Sequence, residues 1–110
     1  GKRVLYVFNQ DIMFKGRSDE LTGTGVFVLG HLQAKLATIS GFTTLSIVAY
    51  TDDVGSRQSN MELSQKQAQV IAANMKGVNA QIKALGAGSQ ILYLKDKPSK
   101  WDMRYEIELY

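Results

Sequence analysis

Ala49-Tyr50-Thr51-Asp52-Asp53-Val54-Gly55-Ser56-Arg57-Gln58-Ser59-Asn60-Met61-Glu62-Leu63-Ser64-Gln65-Lys66-Gln67-Ala68 is the stretch on which the reading of this chain turns. It opens as the apolar end of a strand at Ile47-Val48-Ala49-Tyr50, breaks into a polar loop around Gly55, and enters a helix that Ser64 is placed to cap. Paired acids at a strand exit, facing the first turn of the next helix, form a small polar site. Ser64 reads as a cap and not a nucleophile, because no histidine lies near it and the one available is His31.

Working outward, Thr44-Leu45-Ser46-Ile47-Val48-Ala49-Tyr50 is a strand, and residues 64–75 form a helix with Ala68, Ile71, Ala72 and Met75 on one face and Gly77 at its end. Upstream, Val4-Leu5-Tyr6-Val7-Phe8 is a continuous apolar run expected to be a strand buried on both faces. Ser18 is placed to cap a first helix whose opening turn carries Asp19 and Glu20. That helix continues through Leu21, Val28, Leu32, Leu36 and Ile39 to a stop at Gly41. Downstream, residues 80–85 suggest a third strand that ends in the glycine turn Gly86-Ala87-Gly88. Residues 95–100 read as a surface loop, and 103–109 alternate as a half-exposed final strand. The order βαβαββ predicts an α/β two-layer sandwich: a mixed parallel and antiparallel sheet with two main helices on one face.

Bulk properties narrow the function without naming it. A chain of 110 residues with 45% hydrophobic content is one domain, 1–110, with a modest core. It has no cysteine, hence no disulfide framework, thiolate metal site or cysteine nucleophile. A formal charge of +3 favours an anionic partner without choosing among membrane, nucleic acid and cell wall. Apolar runs such as Val26 to Leu29 are too short to span a bilayer, and the opening Gly-Lys-Arg suggests a piece of a longer protein. His31 alone, without cysteines, does not make a zinc site, so no metal or cofactor is expected. Gly23-Thr24-Gly25 with Gly30 has the wrong spacing for a dinucleotide loop, and the helix is expected to begin before it. Tyr93, the lysines of 95–100 and Trp101 suit either a nucleic-acid or a protein surface, but no RNA-binding motif accompanies them. No nucleic-acid partner is expected.

The spacing of Thr51, Asp52, Gly55, Asn60, Leu63, Ser64 and Ala68 resembles the signature of the OmpA-like domain, a periplasmic module that grips peptidoglycan. Phe14, Ser18, Glu20 and Leu21 match a second family segment before the first helix, with Lys15 and Arg17 where acids are usual. The resemblance implies a non-enzymatic envelope domain in the periplasm of a Gram-negative bacterium. Its membrane contact would come only through an anchor elsewhere in the protein, one that ties it to the outer membrane. It also implies a ligand, the diaminopimelate of the peptidoglycan stem peptide, whose ammonium meets the aspartate and whose carboxylate meets an arginine before the final alanine. Asp52 is retained, whereas the arginine position is Gln67. The candidate ligand-binding residues are therefore Asp52, Thr51, Asn60, Gln67 and Arg104, with Arg104 preferred over Lys66 and Arg57 as a substitute cation. Exchanging a bidentate arginine for a neutral amide costs about 2–5 kcal/mol of binding. The resemblance thus also admits a scaffold role among envelope proteins, with weak or no peptidoglycan binding.

Overall fold

The computed structural model describes residues 4–89 and 102–110, so the expected loop at 95–100, with Tyr93 and Trp101, lies outside the described residues. Strand β2 (Thr44–Tyr50) alternates, with Leu45, Ile47 and Ala49 buried and Ser46, Val48 and Tyr50 partly exposed. Strand β4 (Arg104–Leu109) repeats the pattern, turning Tyr105, Ile107 and Leu109 inward and Glu106 and Glu108 toward the other face. With β1 (Val4–Asn9) and β3 (Gln81–Gly88) they form a sheet in the order β1-β4-β2-β3. β4 is antiparallel to β1 and β2, and β2 is parallel to β3.

Three helices accompany the sheet among the described residues: a single turn α1 (Gln10–Met13), then α2 (Gly23–Leu36) and α3 (Arg57–Ala73). The buried Leu29, Leu32 and Leu36 of α2 and the Ala68 and Ile71 of α3 share one apolar core with Leu45, Ile47 and Ile107. The expected α/β sandwich, with a mixed sheet and two main helices, is the observed one. No helix among the described residues is long and apolar enough to cross a membrane.

Several local expectations change. β1 is an edge strand and is not buried on both faces, for Leu5 is 53% exposed. Thr22, not Ser18, caps α2, its hydroxyl accepting a hydrogen bond from Gly25 N at 2.8 Å. The helix consequently begins at Gly23 and not before the glycines, which form its first turn. Asp19 and Glu20 lie in a loop, and Ser18 stitches that loop by donating to Lys15 O and accepting from Glu20 N. The bridge between Phe14 and Leu21 closes it.

The second main helix starts at Arg57, capped by Ser56, with Ser64 in its interior. The buried face of its first half is polar, Asn60, Ser64 and Gln67, so apolar periodicity becomes visible only from Ala68 onward. β3 runs through the glycines that were expected to end it. Gly41 and Gly77 do adopt positive φ, but they follow the helix ends at Leu36 and Ala73 by several residues.

Candidate functional site

At the end of β2 the chain turns sharply toward α3. Thr51 is fully buried; its N–H donates to Gly88 O at 2.8 Å and its hydroxyl donates to Asp52 O at 2.9 Å. Asp52 Oδ1 accepts the Val54 N–H at 3.2 Å, an Asx-type turn that fixes a partly exposed carboxylate in the loop. Gly55, at φ 88°, completes the reversal in a conformation that side-chain-bearing residues rarely adopt. Asn60, fully buried in the first turn of α3, secures the loop by donating from Nδ2 to Asp52 O at 3.3 Å.

Arg17 meets this loop from the opposite side. Its Nη1 donates to Asp52 Oδ1 at 2.9 Å and contacts Met103 Sδ at 3.5 Å. Its Nη2 donates to Val54 O at 3.1 Å and to Asn60 Oδ1. The cation paired with Asp52 is thus Arg17, which the sequence marks only as a charge reversal where the family carries an acid. A retained aspartate with a new arginine in a neighbouring motif was the available signal. Met103 and the Val54 carbonyl carried none.

Gln67 is fully buried and does not present its amide to solvent. Its Nε2 donates to Ser18 O at 2.8 Å, and its Oε1 accepts the Tyr105 hydroxyl at 3.1 Å. Both ends of the amide are therefore committed inside the molecule, and the first of them holds the loop that carries Arg17.

Arg104 lies on β4, buried, with Nε 2.6 Å from Glu106 Oε2 and its guanidinium 3.9 Å from the centroid of the Tyr50 ring. Burial raises the Tyr50 phenol above its ordinary 10.0; Glu106 adds to the rise and Arg104 opposes it. Lys66 and Arg57 are exposed on α3. His31 is exposed on α2, its ring 4.4 Å from that of Phe27. Among the described residues no cluster of three His, Asp or Glu is placed to hold a metal ion. The structure brings Thr51, Asp52 and Asn60 together, joins Gln67 to them through the Arg17 loop, and sets Arg104 on the strand beside Tyr50.

Ser64 makes a different junction. Its hydroxyl donates to Met61 O and accepts the Gly88 N–H, both at 3.0 Å, while Gln65 Oε1 accepts the Gly86 N–H at 2.9 Å. A Cβ on Gly86 would fall 2.2 Å from Gln65 N, so only glycine permits this approach of α3 to β3.

No family model matches the chain, and no curated protein sequence matches it. Solved structures do. The periplasmic domain of Helicobacter pylori MotB is similar at TM-score 0.79 and 12% identity, over 96% of this chain and 80% of that one. The cell wall anchor of the T6SS from Pseudomonas aeruginosa is similar at TM-score 0.77 and 17% identity, over 98% and 81%. The peptidoglycan-associated lipoprotein from Burkholderia pseudomallei is similar at TM-score 0.70 and 18% identity, over 90% and 88%. On the likeness of its whole described backbone to these structures, the chain has the OmpA-like fold.

Proposed function

We propose that the chain is a non-catalytic domain of a longer bacterial envelope protein, situated in the periplasm, that associates with peptidoglycan and so anchors its parent assembly at the cell wall. The observation that carries this reading is the Asp52 carboxylate, partly exposed and held by its own turn at the β2 exit of an OmpA-like fold. Structures of this fold include proteins described as a cell wall anchor and as peptidoglycan-associated. In this reading Asp52 receives the ammonium of diaminopimelate, Thr51 and Asn60 hold the loop in shape, and Arg104, on β4 beside Tyr50, is the candidate substitute for the carboxylate clamp. Gln67 acts from within as a strut. A tether to the outer membrane would belong to another part of the parent protein.

Intact sacculi and diaminopimelate-containing muropeptides provide the test. Retention on sacculi that disappears in Asp52→Ala is the expected result, and absence of binding at millimolar muropeptide would sink the reading. A second reading, a protein scaffold within an envelope complex such as a secretion system, is favoured by the Arg17–Asp52 pair and by the internal engagement of Gln67. Full assembly of the parent complex in Asp52→Ala, with no sacculus binding by either form, would select it.

A further inference from the structure

The anchoring reading leaves Arg17 without a role, although its guanidinium bonds the loop that carries Asp52. Two Nη atoms carry four hydrogens, and they face four partners: Asp52 Oδ1, Met103 Sδ, Val54 O and Asn60 Oδ1. Three of those partners are acceptor oxygens gathered around the two Nη atoms, an acceptor set that suits an ammonium group as well as a guanidinium. Arg17 side-chain exposure is 37%, so the cation sits where solvent and solutes reach it.

We infer that Arg17 is the internal occupant of a cation subsite built from Asp52, Asn60 and the Val54 carbonyl, and that it sets which ligands the site accepts by competing with them. The identity of the outside competitor, a diaminopimelate ammonium, rests on the anchoring reading; the occupancy does not. The loop that carries Arg17 is held at both ends by the Phe14 to Leu21 bridge and from below by Gln67 on Ser18 O. The guanidinium is thereby kept at high effective concentration over Asp52. A ligand binds only the fraction of molecules in which Arg17 has left, and its apparent affinity falls by that fraction. Arg17 and Gln67, two departures from the family pattern, then act as one device: the buried amide holds the loop, and the loop fills the site.

The test is an NMR titration of the wild-type domain, Arg17→Ala and Arg17→Lys, read at the Asn60 side-chain amide, with two probes: ethylguanidinium and a diaminopimelate-containing muropeptide. Ethylguanidinium is expected to shift the Asn60 signals of Arg17→Ala and not those of the wild type. The muropeptide is expected to bind Arg17→Ala about tenfold or more tightly than the wild type, with Arg17→Lys between them. Arg17→Lys retains the loop charge and carries the comparison if the alanine variant does not fold. Uptake of ethylguanidinium by Arg17→Ala, with no muropeptide bound by any form, supports the occupied subsite and overturns the peptidoglycan reading alone. Equal muropeptide binding by all three proteins, or no ethylguanidinium effect in either variant, overturns the proposal.

Discussion

Helix α3 has two polar seams, and they are built on opposite principles. Toward β3, Ser64 and Gln65 meet the backbone of Gly86 and Gly88, and no strand side chain intervenes. Toward the Arg17 loop, Asn60 and Gln67 meet a guanidinium and a carbonyl through long side chains. The first seam brings backbones so close that nothing can be added, whereas the second spans a gap with groups that can be exchanged. A fold can therefore keep its architecture while its ligand site changes, because the two depend on different sides of one helix.

Breaking the rigid seam should produce the largest effect. Gly86→Ala forces a methyl against Gln65 N and Ser64 Oγ, and is expected to destabilise the domain by at least about 3 kcal/mol in urea unfolding. Cutting the exchangeable seam should cost less. Gln67→Ala removes the amide that bonds Ser18 O and the buried Tyr105 hydroxyl, an expected loss of about 2 kcal/mol, with faster amide exchange in residues 15–20. Equal losses from the two variants would erase the distinction between the seams. A control on the far face of the sheet should be smallest. Because the folded state raises the Tyr50 pKa, its contribution is complete below the ordinary value of 10.0 and fades as pH rises through the folded value. Tyr50→Phe should remove that fading, seen as a flatter thermal stability profile above about pH 10.

The two seams also differ in how well the sequence reveals them. The glycines at 86 and 88 are conspicuous, but as a turn signal they suggest the end of a strand when they are in fact its point of contact with a helix. The polar face of Asn60, Ser64 and Gln67 hides the first half of α3 from any search for apolar period, so the sequence points to a helix start at Ser64, seven residues late. At the β2 exit, the polar loop around Gly55 with Asp52 in it was legible in the sequence, and Asn60 reads there as an organiser of that loop. The partner of Asp52 was not, since Arg17 lies 35 residues away and nothing local to either residue joins them. Arg104 was legible as a cation near the sheet end, but its engagement with Glu106 and Tyr50 depends on a strand pairing that brings β4 beside β2.

The order of strand and helix patterns along the chain determined by itself that this protein is a two-layer α/β sandwich, with a polar turn after the strand that ends at Tyr50. These are local patterns, and local patterns suffice because strand and helix periods select the face that must be buried. Only the tertiary structure decided what fills that turn. The Arg17 guanidinium, the Gln67 amide and the Asp52 carboxylate come from three separate segments, and hydrogen bonds between long polar side chains follow from where the packed backbone sets them, which no periodicity in the chain encodes.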